Sequence, residues 1–144
     1  MAISIRHITE DDVRVVADLS RQLDYTISEE DTLRQIRLIT ESGGDAGYVA
    51  VADGRVIGWM HVFYALRIES QPFCEVGGLV VDEAYRGKGI GKMLVKKAME
   101  WCATKECKRL VVRSNVKRAD AHKFYEANGF KEAKEQKVFR LLLP

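Results

Sequence analysis

The spacing of hydrophobic and polar positions changes along the chain, and each change predicts an element. Residues 2–8 alternate, Ile3 and Ile5 against Ser4 and Arg6, which is the period of a strand. Thr9 then reads as the cap of a helix. Its first turn holds Glu10, Asp11 and Asp12, where negative charge is favoured, and its apolar stripe runs through Val13, Val16, Ala17, Leu19, Ser20 and Leu23. Ser28, with Asp31 three residues later, reads as an acidic capping box for a second helix, which Leu33, Ile36 and Ile39 carry on until Gly43-Gly44 stops it. Residues 48–52 and 56–66 read as antiparallel strands joined at Asp53-Gly54, a hairpin signal. On the second of these, Trp59, His61 and Phe63 share one face while Met60, Val62 and Tyr64 share the other. A polar turn over 67–71 leads to the uncharged, β-branched run 76–81, which reads as a strand buried on both faces. After Gly91, the residues Met93, Leu94, Ala98, Trp101 and Cys102 fall at helical spacing to about Lys105. A strand over 109–113, a helix over 118–128 stopped by Gly129, and two short strands over 130–134 and 137–143 complete the chain.

Composition narrows this picture. With 144 residues, 47% of them hydrophobic, and 2 prolines, the chain can bury one substantial core, and no repeat or linker divides it, so a single domain over 1–144 is expected. No apolar run approaches the roughly 20 residues of a membrane span, and the N-terminus lacks a signal peptide's apolar core, so the expected setting is cytoplasmic. Cys74, Cys102 and Cys107 show no metal-ligand spacing with His7, His61 or His122; reduced structural thiols and no metal are expected. The net charge of +2 conceals an asymmetry. Residues 1–72 carry 7 Lys and Arg against 12 Asp and Glu, and residues 73–144 carry 16 against 9. Such a second half attracts a polyanion and such a first half a cationic acceptor, although solvated surface charge gives the same counts.

The candidate chemistry lies at Arg86-Gly87-Lys88-Gly89-Ile90-Gly91-Lys92, where a strand hands over to a helix N-terminus. The first turn of a helix has unpaired N–H groups and a partial positive charge, and glycines admit an anion to that backbone without a Cβ in the way. Three cations around the glycines suit a pyrophosphate better than a single phosphate. A Gly-rich turn with solvated charges has the same sequence. A P-loop is excluded because Met93 stands where its Ser or Thr belongs. A dinucleotide fold is disfavoured because the next strand, Arg109-Leu110-Val111-Val112-Arg113, is basic where an acid should hold the ribose.

The same stretch resembles the acetyl-CoA-binding motif of the GNAT superfamily of N-acetyltransferases, Arg/Gln-x-x-Gly-x-Gly/Ala after a hydrophobic strand, with Arg86, Gly89 and Gly91 in place. A second block, residues 118–130, is similar to that family's Asn-x-x-Ala-x-x-x-Tyr-x-x-x-Gly-Phe, through Ala121, Tyr125, Gly129 and Phe130, with Arg118 replacing the Asn. The predicted order β-α-α-β-β-β-α-β-α-β-β is that of the GNAT fold, an α/β architecture with a mixed, mostly antiparallel central sheet flanked by helices.

The resemblance implies acetyl-CoA as acyl donor. It assigns the backbone of Leu79, Val80 and Val81 to the pantetheine arm and thioester carbonyl, Arg86 to Lys92 to the pyrophosphate, and Asn115, Arg118, Ala121 and Phe124 to further cofactor contacts. Tyr125 is the implied general acid, since a phenol with a pKa near about 10 stays protonated yet donates to a basic thiolate; packing of Phe124-Tyr125 on a sheet is the alternative. Glu75 is the candidate base, with an edge salt bridge as its other reading. Asp24, Tyr25, Glu29, Glu30 and His61 are candidate acceptor contacts, or else caps, surface and a structural histidine. Direct acetyl transfer to the primary amine of a small molecule or peptide follows, with a homodimer left open and neither nucleic acid nor membrane as partner. A non-catalytic acyl-CoA sensor is the alternative function.

Overall fold

The hairpin at Asp53-Gly54 sets the register of the sheet. Asp53 (φ 50°) and Gly54 (φ 78°) both occupy the left-handed region that a two-residue type I′ turn needs. They join β2 (Asp45–Ala52) to β3 (Arg55–Ala65), so that Val49 faces Trp59 and Gly47 faces His61. β1 (Ile3–His7) adds to β2, and β4 (Phe73–Val81) to β3, both antiparallel, while β5 (Leu110–Val112) lies parallel to β4. The sheet order is β1-β2-β3-β4-β5. The parallel pair needs a crossover, which α3 (Ile90–Thr104) supplies. The result is the expected mixed sheet flanked by helices.

Each face of the sheet has its own core. Ile90, Leu94, Ala98 and Cys102 of α3 pack on Tyr48, Ala50, Met60, Val62, Cys74 and Val76. On the other face, Val16 of α1 (Val13–Arg21) and Ile36 of α2 (Glu29–Glu41) pack on Ile8 and Val49. A fully buried side chain such as Leu94 or Ile57 contributes about 1.5–3 kcal/mol. Met93, expected in the helix stripe, is instead exposed, and Val95 takes a buried position.

The computed structural model describes residues 1–144, in two compact units, Met1–Arg113 and Ser114–Pro144. The second contains α4 (Ala119–Ala127), entered from Arg118 and stopped by Gly129 at φ 92°. The strands expected over 130–134 and 137–143 are not formed within this unit. A strand exists only through a ladder, and this unit holds one helix and no strand with which to make one. No helix of the protein is long and apolar enough to cross a membrane.

Two helix starts also differ from expectation. Thr9 opens a 3-10 turn, Glu10–Asp12, and the α-helix begins only at Val13. Asp12 is drawn inward, where Arg6 donates to its two carboxylate oxygens at 2.8 Å each and the Thr9 N–H donates at 2.8 Å. Burial opposes the charge on Asp12, but these hydrogen bonds prevail and hold the carboxyl below its usual range. At Ser28 only half of the capping box forms. Ser28 Oγ accepts from the Asp31 N–H at 3.0 Å, while the Asp31 carboxylate accepts from Arg34.

Candidate active site

The site is built on β4 and on the turn that follows it. Parallel pairing with β5 ends at Val76–Val112, so from Gly77 to Val81 β4 is laddered only to β3, and its other backbone edge is open within this unit. Opposite β3, the register slips by one residue: Val62 faces Val76 but His61 faces Gly78, leaving Gly77 as a bulge. Both glycines are required. A Cβ on Gly77 would lie 2.7 Å from His61 Nδ1, and one on Gly78 would lie 2.7 Å from the Trp59 ring. The row Trp59, His61, Phe63 therefore packs directly against bare β4 backbone.

Beyond Val81 the chain makes a 3-10 turn, Glu83–Tyr85, capped by Asp82, whose Oδ1 accepts from the Ala84 N–H at 3.1 Å. Arg86 follows, its Nε donating to the Val81 carbonyl at 3.3 Å. Gly87 (φ 78°) and Gly89 (φ 80°) then take left-handed conformations that side chains resist. Gly89 is the N-cap of α3, so Gly91, after which the helix is expected to begin, already sits with Lys92 within its first turn. The Met93 N–H closes that turn onto the Gly89 carbonyl, and the N–H groups of Ile90, Gly91 and Lys92 precede the first helical bond. Arg86, Lys88 and Lys92 are exposed, and no carboxylate pairs with them. An open strand edge, a helix N-terminus and three cations thus lie consecutively along the chain. Together they fit a ligand with a peptide-like arm and several phosphate charges. No group of three His, Cys, Asp or Glu gathers as a metal site.

The remaining expected residues take several settings. Glu75 lies inside β4, buried, with Oε1 accepting from Arg113 Nε at 3.1 Å. It shares the Phe63 face of the sheet. His61 Nε2 lies 2.7 Å from Asp45 Oδ1, a diagonal cross-strand pair that fixes the ring. Asp24 (φ 63°) and Tyr25 lie exposed in the turn after α1, while Glu29 is ion-paired with Arg14 at 3.6 Å. In the second unit, Asn115 Oδ1 accepts from the Lys117 N–H at 2.9 Å and the Asn115 carbonyl meets His122 Nε2 at 2.8 Å. Arg118 is the N-cap of α4, Ala121 is half-buried, and Tyr125 stands edge-on to Phe124 and Phe130, with ring centroids 5.2 and 5.5 Å away.

Three groups escaped the sequence reading. Asp45 could have been found by counting outward from the hairpin turn, and Arg113 from its position two residues beyond the partner of Glu75. Gln22, which reaches Asp82 and Glu83, has no such signal.

Known proteins are similar to this chain in sequence and in fold. An aminoglycoside N(6')-acetyltransferase type 1 of Stenotrophomonas maltophilia is 27% identical, over 99% of this chain and 95% of its own. N-acetylaspartate synthetase of Xenopus tropicalis is 35% identical over 61% of this chain, which spans about a third (31%) of that relative's length. A solved aminoglycoside N-acetyltransferase in complex with CoA superimposes with a TM-score of 0.88 at 22% identity, covering 97% of this chain and 95% of that one; at that identity the likeness speaks for the fold. Residues 11–130 match the profile of the acetyltransferase (GNAT) family, and the chain belongs to that family.

Proposed function

We propose that the protein transfers the acetyl group of acetyl-CoA to a primary amine of a small cationic molecule. The observation that carries this reading is the open edge of β4 running into the glycine turn and the first N–H groups of α3. Acetyl-CoA supplies an activated thioester and a thiolate leaving group. The chain's residues do the rest. Within Leu79, Val80 and Val81, the backbone groups that alternate onto the open edge bind the pantetheine arm as an added strand would and polarise the carbonyl. Arg86, Lys88, Lys92 and the turn glycines hold the pyrophosphate.

Glu75 takes the proton of the incoming ammonium, directly or through a water, with Arg113 offsetting its buried charge. Tyr125 donates a proton to the leaving thiolate. Asn115, Arg118, Ala121 and Phe124 are assigned to the cofactor by family resemblance alone, and Asp24, Tyr25, Glu29 and His61 to the acceptor by their place on the α1–α2 linker, at the start of α2 and on β3. A small amine is favoured over a protein substrate by the near end-to-end match with the aminoglycoside-acetylating relative, and a cationic one by the excess of acids in residues 1–72.

The test is thiol release from acetyl-CoA across a panel of neamine, spermidine, aspartate and an N-terminal peptide. Release with neamine or spermidine above the amine-free rate is expected. CoA binding without release for any amine would favour the acyl-CoA sensor.

A further inference from the structure

Gln22 joins two parts of the first unit that are 60 residues apart in sequence. Its backbone is the C-cap of α1 (φ −66°, ψ −18°), with the N–H bonded to Leu19 and Ser20 carbonyls. The chain then winds tightly onto the same helix end: Leu23 N–H and Tyr25 N–H donate to the Ser20 carbonyl at 3.1 and 3.2 Å, and Asp24 N–H to the Arg21 carbonyl at 3.1 Å. Asp24 supplies the left-handed residue of this turn at φ 63°, a conformation that Asp enters more readily than most side chains do. Gln22, Leu23, Asp24 and Tyr25 are thus all bonded to the last turn of α1.

The Gln22 amide uses both of its ends on the turn before the glycines. Oε1 accepts from the Glu83 N–H at 2.9 Å, and Nε2 donates to Asp82 Oδ1 at 3.3 Å. The Glu83 N–H is one of the donors that the start of a short helix leaves unpaired, so a side chain from α1 completes the cap that Asp82 begins at Ala84. The same turn carries the chain onward into the glycines, through Tyr85 N–H to the Asp82 carbonyl at 2.9 Å and Arg86 Nε to the Val81 carbonyl. A ligand that immobilises Arg86 to Gly91 therefore immobilises Asp82 and Glu83, and with them the partners of Gln22.

We propose that Gln22 is a positioning residue that transmits occupancy of the glycine turn to the linker Leu23 to Ile27, so that bound CoA orders the segment assigned to the acceptor. The proposal rests on the reading of the turn as the CoA site. Its thermodynamic form is coupling through ordering: one ligand removes freedom that the second would otherwise have to remove, and the effect is reciprocal. A side chain that served only to cap the turn at Glu83 would need Oε1 alone, and its loss would leave any response of the linker to CoA unchanged.

The test is backbone hydrogen exchange at Leu23, Asp24 and Tyr25, with and without saturating CoA, in the wild-type chain and in Gln22→Met, which keeps the length and removes both hydrogen bonds. Gln22→Ala carries the test if the Met variant does not fold. CoA is expected to slow exchange at these amides by about 5-fold or more in the wild type, the lower end of usual coupling. In the variant CoA should still bind, and the slowing should vanish. Protection by CoA that persists in the variant, or its absence in a wild-type chain that binds CoA, would overturn the proposal. Failure of the wild type to bind CoA would overturn the reading of the turn itself.

Discussion

Replacing Gly89 separates the conformational role of the turn from its electrostatic one. Gly89 is at φ 80°, and a Cβ there would meet no atom within 4 Å. A side chain consequently fits, and its cost is that of the left-handed backbone, about 1–2 kcal/mol for Ala and less for Asn or Asp, which enter that region more readily. Asn and Asp have the same shape and differ in one charge. Two like charges about 4 Å apart repel by ~4 kcal/mol at an effective dielectric of about 20. The turn is solvated and the Debye length is about 8 Å at physiological salt, which reduces this to about 1–2 kcal/mol. Gly89→Asp should therefore bind CoA about 5- to 30-fold more weakly than Gly89→Asn, while the two melt at similar temperatures. Calorimetric titration of both variants decides it. Equal affinities for Asn and Asp would refute the idea that a phosphate approaches Gly89.

Raising ionic strength should weaken CoA binding but leave pantetheine nearly unaffected, because only the former engages Arg86, Lys88 and Lys92; parallel titrations at two salt concentrations would expose equal dependence if those cations are idle. Tyr125→Phe should keep the Kd for CoA and lose about 10²- to 10⁴-fold in single-turnover rate, and a wild-type rate would remove the acid assignment. Gly78→Ala sets a Cβ 2.7 Å from the Trp59 ring and should cost about 1–3 kcal/mol in urea unfolding; a change below about 0.5 kcal/mol would mean that the ring is not confined. Since the folded-state pKa of Asp12 lies below its unfolded value, its contribution to stability is complete above that unfolded value, about 3.9, and is lost as pH falls through the lower folded one. Asp12→Asn should lose about 1–3 kcal/mol at neutral pH and lack that component of the acid limb, as urea midpoints against pH would reveal.

Local patterns carried most of the fold because they report local physics. The hairpin at Asp53-Gly54 was legible because only certain residues tolerate φ > 0 twice in succession, and the Trp59/Met60 alternation because a pleated strand has period two. The apolar residues over 137–143 form no ladder within their own unit, which holds no strand to pair with; strand propensity does not name a partner. The glycine turn was legible as an anion site because its chemistry is contiguous. The uncharged run 76–81 marks only part of β4, because a charge inside a strand breaks the apolar pattern; the ion pair with Arg113 lets Glu75 lie inside. The contact between Gln22 and Asp82 depends on how α1 lies over the sheet, which no local window contains.

The extra residue at Gly77 has a consequence for anyone exchanging parts of this chain with another. Because His61 faces Gly78 while Val62 faces Val76, odd-numbered residues before the bulge and even-numbered ones after it share a surface, which is why Glu75 and Val80 lie on one side and Val76 and Leu79 on the other. Deleting a single residue between Glu75 and Asp82 would restore a regular ladder and invert everything downstream, turning Val80 toward α3 and Leu79 away from it. A chimera spliced on the far side of Gly77 from its donor's own irregularity would inherit correct motifs on the wrong surface. Crossover points should therefore be chosen by strand phase at this residue, before motif similarity is considered.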